Sequence, residues 1–356
     1  MTTQLAPNTQ SPGEEVAAQR CSSVPGSVPR RTRGRRVVGL LGRRLLMMIP
    51  TVVLVSLGVF AVAAASPFDP LTEHLGDDYQ SATASQREAV TQAHGLDGHW
   101  FGAWWRWWGD VFSGDAGWSS TQSRPVTDVI VDRLPFTLGM SLLALLFATV
   151  IAIVVGALTG MRRGGLLDRV CTGVAAMLAA TPPFVVSLVL VSVFAVGLGW
   201  LPAAGARRPG DAYTVAGLFT HGVLPCLALT ISMIPWLLLT MRAAVVDAAA
   251  SEAVRGARAR GIGGWALLRG HVVPVSVLPT LALLGTRLPE LVAGAAIVES
   301  VFGWPGLAEA LVDSAVALDF SLLAPLAVGS AVLVLIGSAV SDAAAVWIDP
   351  RIGLRA

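Results

Sequence analysis

The residues with the clearest chemical potential are arginines and glycines in one short segment. Residues 247–260 read DAAASEAVRGARAR, and three glycines follow at 261, 263 and 264. Alanine and arginine favour helix and glycine interrupts it, which predicts a helix, a glycine turn and a second short helix over 265–271 ending before Pro274. Such a basic helix pair can form charge-assisted hydrogen bonds with a soluble partner or attract anionic lipid headgroups. The residue types favour the two interpretations equally.

A second group of residues interrupts long apolar runs. Arg287 and Glu290 are three residues apart and therefore share a helix face. Inside a membrane they could line a pathway, because ionisable residues there are functional candidates, or they could neutralise each other within the helix. Pro182 and Pro183 remove two backbone donors from another run and predict a kink, which could shape a pathway or be purely structural. The possible pathway residues are Pro182, Pro183, Arg287 and Glu290.

The sequence lacks the residues that several kinds of catalytic and metal site require. All 25 basic residues are arginine, with no lysine, whereas a P-loop uses a lysine to reach the phosphates of ATP and a Schiff-base enzyme uses a lysine amine. The sequence contains no H-E-x-x-H or G-x-S-x-G motif, and Cys21, Cys171 and Cys226 are too scattered for a metal site or a disulfide framework. We therefore expect no catalytic residue and no metal in this chain, and any ATP hydrolysis to come from another subunit.

The composition indicates the elements that hold these residues. The chain has 356 residues, of which 54% are hydrophobic and only 13% charged, against about 25% charged in soluble proteins. A membrane span needs about 20 mostly apolar residues. The apolar runs predict an all-α integral membrane protein with six transmembrane helices, at about residues 45–66, 135–161, 172–199, 221–242, 275–298 and 320–347.

The arginines predict the orientation of these helices. With the N-terminus inside, the inner segments hold 18 of the 25 arginines and the outer segments six, which places both termini in the cytoplasm. Residues 1–40 are then a disordered cytoplasmic tail, 41–356 a transmembrane domain and 243–274 a cytoplasmic loop. The long outer segment contains HWFGAWWRWWGDVF, either a contact surface for a partner or substrate or, as we favour, an amphipathic helix at the membrane interface.

The basic loop carries a family resemblance. The segment VRGARARG at 254–261, followed by Pro274, resembles the "EAA" loop of ABC-importer permeases. It is closest to the dipeptide/oligopeptide/nickel branch, whose loop usually reads R-T-A-R-A-K-G, with Gly256 here for the threonine and Arg260 for the lysine. Further motifs of this family follow one another at fitting spacing over about residues 40–355: SPFDP at 66–70, RLPFTL at 133–138, GWLPAAG at 199–205, VESVFGWPGL at 298–307 and DPRI at 349–352.

The resemblance implies a type I ABC-importer permease with a long extracytoplasmic loop between its first two helices. Such a subunit forms half of a translocation pathway for peptides or a related small solute in the plasma membrane. Its coupling loop lies in a groove of a cytoplasmic ATPase, with Gly261 forming the turn and Pro274 ending the second helix. The implied coupling residues are Arg255, Gly256, Ala257, Arg258, Arg260, Gly261 and Pro274.

The resemblance also implies partners. These are a second homologous permease subunit, two cytoplasmic ATPase subunits or domains, an extracellular solute-binding protein and membrane lipid, with no nucleic acid. ATP is bound by the partner subunits, so no cofactor is expected in this chain. Two other classes stay open: a secondary transporter or channel that works without an ATPase, and a membrane-embedded enzyme. The basic loop that closes on Gly261 and Pro274 favours the importer over both.

Overall fold

The computed structural model describes residues 30–65, 83–86 and 100–348, and these are largely helical. Two segments, Val191–Gly197 and Leu268–Val272, are π-helical. A short antiparallel ribbon, β1 (Trp118–Ser119) and β2 (Arg124–Pro125), pairs Trp118 with Pro125. The helices are α1 (Arg30–Ala65), α2 (Trp100–Ser113), α3 (Val126–Met161), α4 (Leu166–Ala179), α5 (Pro183–Leu190), α6 (Val215–Ala250), α7 (Glu252–Ala259), α8 (Gly264–Leu267), α9 (Val273–Phe302), α10 (Leu307–Val316) and α11 (Phe320–Ile348).

Apolar helices of membrane-spanning length dominate the described residues. Two bent helix pairs, α4 with α5 and the end of α9 with α10, are apolar enough to be broken spans. By length and composition the described residues thus hold five spans, or up to seven if each bent pair counts as one. The all-α membrane class is confirmed. The five stretches are Gly42–Ala65, Val126–Met161, Val215–Ala250, Gly264–Leu284 and Phe320–Val340.

The third predicted span is wrong in form. Residues 172–199 do not form one kinked helix, because α4 and the segment from Pro183 to Gly197 meet at an angle of 107°. Pro182 has an extended backbone with ψ of 145° and Pro183 begins the new helix. A steric clash disfavours the helical region for a residue that precedes proline. Pro182 takes the extended conformation here, so the two prolines separate two helices instead of bending one.

The ends of other helices also differ from the predictions. Helix α1 begins at Arg30, so residues 30–40, which we expected to be disordered, are helical. Arginine has a high helix propensity and an existing helix extends at little cost. Similarly, α3 begins at Val126 rather than 135, and α6 continues to Ala250, into the predicted loop. The motif segments 66–70 and 349–352, and the tail residues 1–29, lie outside the described residues.

Helices α3 and α6 approach each other closely at two glycines. A Cβ built at Gly156 would lie 2.9 Å from Cβ of Met241, and one at Gly160 would lie 2.6 Å from Cγ1 of Val245 and 2.9 Å from the carbonyl oxygen of Arg242. Small residues four apart allow such backbone approach between membrane helices. Since Met241 and Val245 are fully buried, this contact fixes the position of α6 against α3.

We expect Gly160→Ala to destabilise the protein, because the added methyl would meet a backbone carbonyl that cannot rotate away. Overpacking of this kind costs about 1–3 kcal/mol. The matched control is Gly139→Ala in the same helix, where a Cβ meets no atom within 4 Å. Thermal unfolding of the purified protein in detergent measures both variants. Equal melting temperatures for the two variants would contradict the close contact.

Candidate coupling and translocation sites

The basic loop forms a compact structure, here called the elbow, which comprises residues 252–272. The hydroxyl of Ser251 accepts a hydrogen bond from the backbone N–H of Val254 at 3.4 Å and so caps α7. After α7 the chain turns at Gly261, which has φ of +81°. This left-handed conformation favours glycine, and it lets the N–H of Ile262 donate to the carbonyl of Ala257 at 3.1 Å.

One face of the elbow is buried against the long helices. Val254 and Ala257 of α7 have 1% and 0% of their surface exposed. They belong to one apolar cluster, here called the elbow core, together with residues of α3, α6, α8 and the following π segment. A movement of the elbow must therefore displace α3 and α6, or empty this core. Its buried members are Ala157, Met241, Val245, Ala248, Val254, Ala257, Leu267, Leu268 and Val272.

The other face of the elbow is basic and exposed. Arg255, Arg258 and Arg260 are all exposed. Arg255 bonds to Glu252 at 2.8 Å, with both side chains largely in solvent. Neither of the other two forms an ion pair with any residue in the described ranges. The predicted coupling residues therefore differ in their surroundings: Ala257 packs inward, whereas the arginines present their guanidinium groups outward.

Pro274 does not end the second short helix, which corrects the prediction. Helix α8 continues through the π segment Leu268–Val272 directly into α9, and Pro274 is exposed in the first turn of α9. Proline lacks an N–H and normally disrupts the hydrogen-bond pattern of a helix. The π segment just before Pro274 has a wider turn, which changes the hydrogen-bond register, so the helix continues past the proline. Helix α8, the π segment and α9 therefore form one continuous rod.

A buried ion pair ties α4 to α6 near the elbow. The guanidinium of Arg242 donates to Asp168 through Nε at 2.5 Å and Nη2 at 2.8 Å. Asp168 also accepts from the backbone N–H of Gly164 at 2.8 Å, and its side chain is only 4% exposed. This bidentate geometry is the strong form of an arginine–carboxylate contact. It anchors the start of α4 to the same part of α6 that holds the elbow core.

The structure describes three of the four possible pathway residues, Pro182, Pro183 and Arg287. Pro182 and Pro183 form the bend between α4 and α5. Arg287 lies half-buried on α9 with its guanidinium carbon 4.4 Å from the ring centre of Trp236 on α6, a cation–π contact. The side chain of Glu290 lies outside the described part of the structure. Their role in translocation stays a prediction.

The sequence reasoning missed a buried carboxylate at the bend between α9 and α10. Glu299 is fully buried and accepts from Thr137 Oγ1 at 2.7 Å, and from the N–H groups of Ala308 at 2.9 Å and Glu309 at 3.0 Å. Those two N–H groups begin α10, where a helix favours a negative charge. This close approach of the carboxylate to α10 requires a glycine at position 306, because a Cβ there would lie 2.2 Å from the carboxylate.

The same bend holds the GWLPAAG loop. Here α9 ends at Gly303, which has φ of +53°, and the chain turns by 78° into α10. The N–H of Gly205 donates to the carbonyl of Phe302 at 2.7 Å, and Nε1 of Trp304 donates to the carbonyl of Phe136 at 3.3 Å. Two motifs from distant parts of the sequence therefore pack at one junction, which we call the α9–α10 junction.

Beside this junction, Asp319 joins the β ribbon to α11. It is fully buried and accepts from Ser119 Oγ at 2.6 Å, Thr121 Oγ1 at 2.7 Å and the N–H of Leu322 at 3.0 Å. Burial by itself raises the pKa of this carboxyl, but these hydrogen bonds outweigh it and lower the pKa below its usual value. The carboxylate therefore stabilises the fold at neutral pH, and this contribution disappears as the pH falls through its lowered pKa.

The aromatic helix α2 packs against α1. Nε1 of Trp104 and of Trp108 donate to Ser56 Oγ at 2.9 and 3.3 Å, and Ser56 lies within the apolar span Gly42–Ala65. Trp105 and Phe112 are 68% and 82% exposed. Both rings lie on the same side of α2 as Trp108 and line an apolar groove together with residues of α1. The location of α2 at the membrane interface stays a prediction.

Within the described residues, no group of three or more His, Cys, Asp and Glu could hold a metal ion. The apolar helices and the broken spans are those of a multi-pass membrane protein.

The chain belongs to the family of binding-protein-dependent transport system inner membrane components, whose model matches residues 152–354. It is a permease subunit of an ABC importer and a multi-pass protein of the plasma membrane. This family consists of transport permeases and not of enzymes.

Similar proteins support the assignment. The chain is 30% identical over 311 residues to the oligopeptide transport system permease protein AppB of Bacillus subtilis, covering 87% of this chain and 98% of that protein. It is 31% identical over 282 residues to the glutathione transport system permease protein GsiC of Escherichia coli K12, covering 79% and 88%. A solved amino acid ABC transporter with histidines matches at TM-score 0.47 and 20% identity, over 61% of this chain and 92% of that one, too weak a likeness to carry an argument.

We expect Glu299→Gln to destabilise the α9–α10 junction, because the amide oxygen can accept both N–H groups of α10 only if the NH2 group faces the Thr137 hydroxyl that donates to the carboxylate, and because the negative charge at the start of α10 is lost. Hydrogen bonds to a charged group are worth about 1.5–3 kcal/mol, so unfolding in detergent should occur at a clearly lower temperature. Ser300→Ala is the control, since that exposed hydroxyl bonds only within its own helix. A stability loss as large for Ser300→Ala as for Glu299→Gln would contradict the assigned role.

We expect Asp168→Asn to lower the free energy of unfolding clearly, because it leaves the guanidinium of Arg242 with a neutral partner in place of the carboxylate. Glu252→Gln breaks an exposed pair and should change it by less than about 0.5 kcal/mol. A double-mutant cycle with Arg242→Gln, followed by denaturant unfolding in detergent, measures the coupling. Additive single effects would show that the two side chains do not interact.

Proposed function

We propose that this chain forms half of the translocation pathway of an ATP-driven importer and that its elbow docks onto the cytoplasmic ATPase. The observation that carries the proposal is the two-faced elbow. Val254 and Ala257 bury one face against α3 and α6, while Arg258 and Arg260 on the exposed face form no ion pair with the described residues. A surface that only attracted lipid would need no such rigid attachment to the long helices.

The connections of the elbow support a mechanical role. Movement of the ATPase would be applied to α7, whose buried face contacts α6 through the elbow core. The continuous rod from α8 through the π segment into α9 provides a second route. Gly261 keeps the two short helices close together at its left-handed turn. In this mechanism the elbow moves as one body with α3, α6 and α9, and the bundle changes between inward-facing and outward-facing forms.

The transported solute belongs, in this proposal, to the peptides or related small solutes. The support is the two relatives named for oligopeptide and glutathione transport, which align over most of their own length. Arg287 on α9, together with Pro182 and Pro183 at the broken span, contributes to the pathway. The basic Arg287 is suited to contact a carboxylate of such a solute.

The assembly that follows contains several other chains. It has a second homologous permease subunit, two ATPase subunits or domains and an extracellular solute-binding protein. Both termini and the elbow face the cytoplasm, because the arginines are concentrated in those segments. ATP binds to the ATPase subunits, and this chain holds no cofactor of its own.

The test is a charge reversal on the exposed face of the elbow. We expect Arg258→Glu with Arg260→Glu to reduce the ATPase that co-purifies with the tagged chain at least tenfold, because charge-assisted contacts become repulsive. The buried face is untouched, so folding is preserved, as elution on size exclusion would show. The matched control is Arg207→Glu with Arg208→Glu, which reverses two exposed arginines in the 199–213 loop.

Quantitative mass spectrometry of the purified complexes measures the result. Loss of the ATPase only from the elbow variant supports docking at this face. Equal recovery of the ATPase with both variants would contradict it. Absence of any ATPase with the unmodified chain would favour a secondary transporter or channel that works without one.

A further inference from the structure

A groove separates α3 from the elbow and borders the elbow core, with which it shares Ala157 and Leu268. It has a volume of about 230 Å³ and is open on one side. Its walls come from α3, α8, the π segment and the start of α9, and all are apolar except at one residue. The lining residues are Ile153, Val154, Ala157, Leu158, Trp265, Leu268, Arg269 and Val273.

The α3 wall of the groove is apolar and exposed. Val154 and Leu158 are 52% and 38% exposed, and both lie in the candidate membrane span Val126–Met161. Large apolar side chains exposed on such a span are suited to contact the hydrocarbon of a bilayer. The groove is therefore suited to an acyl chain.

The rim of the groove has the residues that recognise a lipid headgroup. Arg269 is exposed and forms no ion pair with any residue that the structure describes. Trp265 beside it is 68% exposed, and tryptophan prefers the membrane–water interface. Exposed Arg162 and Arg163 follow the end of α3. A guanidinium binds a phosphate through two parallel hydrogen bonds.

We propose that this groove binds one anionic phospholipid, whose phosphate contacts Arg269 while an acyl chain lies along Val154 and Leu158. The charge of the site favours an anionic headgroup, and the apolar walls exclude a free phosphate as the main occupant. The lipid would lie against the elbow from the membrane side, with Leu268 between it and the rest of the elbow core. This site does not depend on which solute is transported or on ATPase docking.

The experiment uses the full chain in detergent with phosphatidylglycerol or phosphatidylcholine of identical acyl chains, followed by native mass spectrometry. We expect preferential retention of phosphatidylglycerol. Arg269→Gln should lower that retention about fivefold, since a basic residue at the membrane surface contributes roughly this factor, and should lower retention of phosphatidylcholine less, because the choline ammonium offsets the charge of its phosphate. Arg208→Gln, which removes one exposed arginine from another loop, is the matched control.

A second variant separates the groove from surface charge in general. Leu158→Trp fills the groove and keeps all charges, so it should also reduce bound phosphatidylglycerol. Equal losses with Arg269→Gln and Arg208→Gln would overturn the proposal in favour of unspecific attraction. Retention by Leu158→Trp at the level of the unmodified chain would overturn it as well. Because no ATPase is present, neither result bears on the elbow as a docking surface.

Discussion

The close contact between α3 and α6 is the constraint on which the remaining structure depends. Gly156 and Gly160 let the backbone of α3 reach Met241 and Val245, and the same two side chains form part of the elbow core. The membrane bundle and the elbow therefore share buried residues. A force on the basic face of the elbow is transmitted through packed side chains, because close-packed interiors do not deform freely.

The α9–α10 junction is a second fixed point, at the other end of α9 from the elbow. There Glu299 caps α10 across Gly306, and Thr137 of α3 joins the same network. The GWLPAAG loop binds to this bend through Gly205. Helix α9 is thus held by the elbow at its start and by polar bonds at its end, so a movement at one end has a continuous route to the other.

Much of the helical class and of the elbow was predictable from the sequence, whereas tertiary contacts were not. Apolar length marks a membrane helix, and the arginine and glycine pattern marks the elbow with its turn at Gly261. The sequence did not predict that Ala257 is buried and Arg258 exposed, because this depends on the position of α6. Two consecutive prolines signalled a break at 182–183, but their effect was underestimated. The role of Glu299 could not be predicted from its motif, since that role requires Thr137 and α10. The GxxxG spacing of Gly156 and Gly160 was a local signal that the sequence analysis missed.

The most direct measurement is photo-crosslinking from the elbow in native membranes. A benzophenone amino acid replaces Arg258 on the exposed face, and the same group replaces Arg208 as a comparison. The account predicts that the adduct from position 258 contains a P-loop ATPase, identified by mass spectrometry, and that the adduct from position 208 does not. Adducts from position 258 that contain only lipid or a second copy of this chain would contradict the coupling role of the elbow.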